Sequence, residues 1–202
     1  DGLIDVAATN ANVLATLVDS SGTADDTNDI NIETIGAGSV SIGSLITGNQ
    51  GDVRIIAQGD VTEANADTDV NIQSDNLSIS STAVGAVGID ALDLSINSLT
   101  SVSAGGDQYI REVGGLAIDL VDAGTGAVEI TSTGSITDAN SNTSSNVIAS
   151  SLSLTATKIG DSAGNPAFDL DVGSLSTTTT QSQFLSFSND VQLNRLGAGT
   201  SA

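Results

Sequence analysis

Two short stretches limit what this chain can fold into more than any other feature. Gly59-Asp-Val-Thr-Glu-Ala-Asn65 and Gly134-Ser-Ile-Thr-Asp-Ala-Asn140 carry the same run of glycine, aliphatic residue, threonine, acid and asparagine, and 134 − 59 = 75 residues separate them. The match continues at that spacing: Leu77-Ser-Ile79 with Leu152-Ser-Leu154, Thr82 with Thr157, and Val84-Gly85 with Ile159-Gly160. After a one-residue insertion, Ala91-Leu92-Asp93-Leu94 matches Ala167-Phe168-Asp169-Leu170, and Tyr109-Ile110 then meets Phe184-Leu185. Asn28–Ile32 and Ile35–Gly38 recur as Asn189–Leu193 and Leu196–Gly199, with Leu116, Ile118 and Val121 as the copy between. The repeat divides residues 1–202 into one continuous segment with full units at approximately 51–125 and 126–200. Self-similarity of this kind is the mark of a solenoid, whose modules bury their apolar faces only by stacking on one another.

Inside a unit the pattern is short. Val128-Glu-Ile130, Leu152-Ser-Leu154, Phe168-Asp-Leu170-Asp-Val172 and Val191-Gln-Leu193 alternate apolar and polar residues, separated by Gly, Asn, Asp, Ser and Thr. That is strand periodicity with turn punctuation, and no helical stripe persists for three turns. Pro166, in Gly164-Asn165-Pro166, is a turn signal. We expect roughly three coils of about 25 residues per unit, stacked about 4.8 Å apart. The matched Asn65 and Asn140 are expected to form an amide ladder. Leu77, Ile79, Leu152 and Leu154 are expected to face the core.

The core must be built without large rings. Aromatic residues make up 2% of the chain, yet apolar residues reach 39%, nearly all of them Ala, Val, Ile and Leu. A thin, elongated interior suits such side chains. The net charge is −21, and only Glu33, Glu63, Glu112 and Glu129 of the 25 acids are not Asp. Aspartate favours turns, so the acidity is loop chemistry. A surface of this sign repels nucleic acid and anionic membranes, and no apolar run is long enough to insert in a bilayer. With no Cys, disulfides and thiolate metal sites are excluded. Asp1 reads as an internal or processed start, so the chain is expected to be a mature product or a segment of something longer.

The phrases Gly134–Asn140, Leu152-Ser-Leu154 with Ile159-Gly160, and Asn165-Pro-Ala-Phe-Asp-Leu170 resemble the tandem units of large secreted bacterial adhesins of the filamentous haemagglutinin type, exported by two-partner secretion. The resemblance is one of repeat style over nearly the whole chain. It implies an all-β fold, a right-handed parallel β-helix, in an extracellular or cell-surface rod that serves adhesion. It also implies other copies or further repeats stacked end to end as partners, and host-cell or matrix glycans as ligands.

The candidate chemistry is sparse. With no His and no Cys, the Ser–His–Asp and Cys–His arrangements are absent. The runner-up function, a carbohydrate-active enzyme or sugar-binding module on a β-helix, would draw on Asp169 and Asp171, which alternate on one strand and are expected to point out on one face, with Arg111 or Arg54 as base. Its sugar platform would have to come from Tyr109, Phe168, Phe184 and Phe187, of which Tyr109 and Phe184 are repeat equivalents. Asp25-Asp26 with Asp29, and Asp67 with Asp69, are acidic clusters in turn-like sequence, read as solvated loops. The EF-hand and calcium β-roll spacings are absent. Thr177–Thr180 lacks a matching threonine row near Ser101-Val-Ser103 and reads as a polar strand. Arg54, Arg111 and Arg195 are expected to neutralise nearby Asp. No catalytic or cofactor-binding residue is assigned and the metal ligands stay open. No cofactor is required, and Ca²⁺ is expected only as a weakly bound, dispersed counterion. The expected function is therefore structural: a shaft or fibre unit of an extracellular adhesin, filament or sheath.

Overall fold

The computed structural model describes residues 2–22, 26–48, 50–140, 142–161 and 167–199. Every strand pairing in it is parallel. One column of paired residues shows the architecture: Val13, Val40, Val61, Val84, Gln108, Val128, Leu152, Leu175 and Leu193 lie one above another, each a coil further along. The chain is a parallel β-solenoid of about eight turns. Among the described residues the helical content is one 3₁₀ turn, Gly88–Asp90. None of the helices there is long and apolar enough to cross a membrane.

The alternation seen in the sequence is what builds the core. In Asn76–Ser81 the aliphatic Leu77 and Ile79 turn inward between the exposed Ser78 and Ser80, and in Val147–Ala156 Leu152 and Leu154 turn inward on either side of Ser153. Leu77, Ile79, Leu152 and Leu154 are all at most 2% exposed, as the repeat predicts. The buried cluster is aliphatic apart from Phe168, which fills the place of Leu92 one unit earlier and is 0% exposed. Phe168 is thus a core residue, and it is withdrawn from any sugar platform. Each buried methylene contributes about 0.8 kcal/mol, so a core that is mostly aliphatic in every coil suffices almost without aromatics.

The coils are shorter than expected and unequal. Three turns up the column from Val61 lead to Val128, whereas the repeat-equivalent of Val61 is Ile136, 136 − 128 = 8 residues further along. Ile136 belongs to another column, Leu116–Ile136–Ile159–Gln183. One unit therefore advances three coils plus one face. The roughly three coils expected per unit are present with one face added, and that face removes the expected asparagine ladder. Asn65 is exposed, and Asn140 donates through Nδ2 to the carbonyl of Asp119 at 3.2 Å. A polar ladder does run along another corner: the Asp52 N–H donates to Asp29 Oδ1 (2.9 Å), and Asn76 donates to Asp52 Oδ1 through both N–H (3.1 Å) and Nδ2 (2.8 Å).

In the first unit the chain leaves the coil in a short excursion that begins at Val84-Gly85, and the same pair of residues recurs at Ile159-Gly160. The apolar residue plugs the core, and the glycine adopts a left-handed backbone, φ +61° and +67°. At Gly85 a Cβ would lie 2.5 Å from the Tyr109 carbonyl and 2.8 Å from the Leu92 nitrogen, so glycine is required both by conformation and by space. The turn proposed at Pro166 lies outside the described residues.

Candidate functional site

Both units bury polar side chains that a flat strand would leave in water. In the first unit, Asn71 is 1% exposed and ties three elements together. Its Nδ2 donates to the carbonyls of Ile42 (3.3 Å) and Gly43 (3.2 Å), while its Oδ1 accepts the N–H of Asp93 (2.8 Å). Asp93 is 2% exposed and pairs in the ladder with Arg111 of the next coil. Arg111 grips it with two donors, Nε to Oδ1 at 2.6 Å and Nη2 to Oδ2. Nη2 also reaches the Asp67 carbonyl at 3.0 Å. The hydrogen bond to Asp93, and the charges of Asp93, Glu63 and Asp67, hold the guanidinium above its ordinary pKa. Burial pushes the Glu63 carboxyl up, and its Oε2 has no hydrogen-bond partner among the described residues.

The second unit repeats the scaffold. Asn146, 0% exposed, donates to the Ile118 carbonyl (2.9 Å) and accepts the Asp169 N–H (2.9 Å), as Asn71 does one unit earlier. Its Nδ2 also reaches Asp138 Oδ1 at 2.8 Å. Asp169 pairs in the ladder with Ser186, where Asp93 pairs with Arg111. Oδ2 of Asp138 and Oδ2 of Asp169 are buried and have no hydrogen-bond partner among the described residues.

This corrects the expectation for Asp169 and Asp171. They share a strand, but Asp169 is 8% exposed, while Asp171 is half-buried and accepts from Asn189 Nδ2 at 2.8 Å. Arg111 directs its donors to Asp93, Asp67 and Ile89 rather than toward an open groove. The role expected of three arginines falls to this one: Arg54 and Arg195 are exposed, and among the described residues neither makes an ion pair. Arg54 lies in a shallow trough with Asp29, Asp52 and Asn76.

The remaining candidates separate. Asp25 lies outside the described residues, Asp26 is exposed, and Asp29 accepts the Asp52 N–H. Asp67 and Asp69 form a local turn, the Asp69 N–H donating to Asp67 Oδ1 at 2.8 Å. No group of three or more acids, among the described residues, is arranged to hold a metal ion. Tyr109 and Phe184 make the same backbone bond, to the carbonyls of Val84 and Ile159, but on different faces. Tyr109 borders a trough floored by Ser151, Ser153, Ser174 and Ser176, and Phe184 carries the Lys158 ammonium 5.9 Å above its ring. Phe187 is half-buried against the core.

Sequence reasoning missed two inward polar features. Thr177 and Thr179 face the core, 1% and 3% exposed, and bond Gln183: Thr177 Oγ1 donates to Oε1 (2.6 Å), and Nε2 donates to Thr179 Oγ1 (3.1 Å) and the Gly197 carbonyl (2.6 Å). Ser101, Ser103 and Gln108 build the same network one unit earlier. The polar-strand reading of Thr177–Thr180 holds only for the exposed Thr178 and Thr180. The second feature is Glu112, 2% exposed, at the inward position that Phe187 takes one unit later. It accepts the N–H groups of Gly114 (2.8 Å) and Ile96 (3.2 Å), yet burial outweighs them and pushes its pKa up to about 7. A Gln or Glu preceded or followed two residues away by an aliphatic residue was the available signal.

The fold places the chain in the class of parallel β-solenoids. Comparison with family models, curated proteins and solved structures gives no match.

Proposed function

We propose that the chain is a shaft segment of an extracellular fibre, adhesin or sheath, acting through length and surface. The observation that carries this reading is the continuity of the stack: one column of inward residues passes through every coil, and the two outermost coils leave apolar side chains incompletely covered. At one end the inward Ile4, Val6, Val13 and Val18 are only partly covered, although their partners in the next coil are fully buried, and Leu193 and Leu196 are 51% and 50% exposed at the other. Such surfaces fit a further coil of the same kind, from the same polypeptide or from another copy. The repeat style of filamentous haemagglutinin-type adhesins supports the same reading, with glycans of host cell or matrix as ligands.

Electron microscopy of the native material tests it. Thin unbranched rods or filaments are the expected result. A compact particle that releases reducing ends from a polysaccharide would overturn the reading in favour of a carbohydrate-active enzyme.

A further inference from the structure

The two repeats solve one electrostatic problem in one place and leave it open in the other. Glu63, Asn71 and Asp93 of the first unit correspond to Asp138, Asn146 and Asp169 of the second, and both sets hang on the same asparagine bonds. In the first unit the cation is Arg111, seated on Asp93 and on the Asp67 carbonyl. In the second unit Ser186 stands at the ladder position of Arg111, neutral and too short to span the gap. Asp169 remains 8% exposed, with Oδ2 unpartnered, and Asp138 Oδ2 is likewise buried and unpartnered. Both residues adjoin one amide group, that of Asn146: its Nδ2 donates to the Asp138 carboxylate, and its Oδ1 accepts the backbone N–H of Asp169. A buried carboxylate without a counter-charge is strongly disfavoured.

We propose that Asp138 and Asp169 bind a hard divalent cation, Ca²⁺, which takes in the second repeat the place of the Arg111 guanidinium in the first. The donors are all oxygen, and the chain has neither His nor Cys to favour a softer metal. A third protein oxygen is available by equivalence. Asn142 matches Asp67, whose carbonyl accepts from Arg111, and both lie in the same kind of turn, with Ser144 N–H on Asn142 Oδ1 (2.5 Å) and Asp69 N–H on Asp67 Oδ1 (2.8 Å). Water completes the shell. Two carboxylates and so few protein ligands place the affinity in the weak range of extracellular modules, Kd about 0.1–1 mM. This inference does not depend on the shaft reading.

The test is calorimetric titration of the full chain with Ca²⁺ in 0.15 M NaCl, which suppresses diffuse ion binding. The wild type is expected to bind one Ca²⁺. Ser186→Arg is expected to abolish that site, because the guanidinium fills it, and to melt without calcium as high as the wild type does with it. Arg111→Ser is expected to add a second equivalent. If Ser186→Arg does not fold, Asp169→Asn reads the same loss. A wild type that binds no Ca²⁺ up to about ten times the expected Kd overturns the proposal. So does binding that persists unchanged in Ser186→Arg or Asp169→Asn, which would assign it to the acidic surface at large.

Discussion

Arg111 holds Asp93 across adjacent coils through two charge-assisted bonds, with Asp93 buried and the guanidinium only partly covered. Such a pair contributes modestly to stability as a whole, but it is costly to break from one side. Arg111→Ala should therefore destabilise the fold by about 3–5 kcal/mol, because an unpaired buried carboxylate remains. The double variant Arg111→Ala with Asp93→Leu should recover much of that loss. Chemical denaturation of the four proteins of the cycle measures the coupling directly.

Leu154 is 1% exposed and lies between Ile130 and Thr177 in the ladder. Leu154→Ala should cost about 2–5 kcal/mol as a core truncation. An outward control, Ser153→Ala, should change the denaturation midpoint by no more than about 0.5 kcal/mol in equivalent terms.

Glu112 sets a pH dependence. Burial raises its folded pKa to about 7 from the ordinary glutamate value of 4.5, so the folded state holds the proton more tightly than the unfolded one. The resulting stability is present in full below the unfolded value and is lost as pH rises through about 7. The contribution is up to about 3 kcal/mol. Glu112→Gln should flatten this part of the profile, and it should melt above the wild type at pH 8 while matching it near pH 4.5. Thermal unfolding across that range decides.

The inner amide network gives a fourth expectation. Gln108→Leu should cost about 1–3 kcal/mol, since Ser101, Ser103 and the Asp122 carbonyl lose a buried partner. Adding Ser101→Val should restore part of the loss by removing one orphaned hydroxyl, as differential scanning calorimetry of both variants would show.

What could be read from the sequence follows from which physics is local. Strand alternation told which way Leu77, Ile79, Leu152 and Leu154 point, and the structure agrees. Alternation says nothing of how well the outer face is covered, so it puts Asp169 on the outside of its strand, where the residue is nonetheless buried. The inward Thr177 and Glu112 were missed because hydrophobic periodicity marks only apolar positions, and their partners come from other strands. The number of coils agrees with the repeat, but their individual lengths are not legible in it: 193 − 175 = 18 residues separate Leu175 from Leu193, against 40 − 13 = 27 between Val13 and Val40. A repeat length in residues therefore does not give the length of any one turn.

The extra face in each unit has a consequence for anything that approaches from the side. Val61 and Ile136 are the same residue of the repeat, yet they enter the core from different compass bearings. A tandem series of such units would carry each equivalent loop around the axis like the treads of a spiral stair, returning to its first bearing after three units, about ten coils. A binding partner fixed on a surface would then meet the same loop at some height whatever the rotation of the rod. Multivalent contact would need no azimuthal alignment, only length.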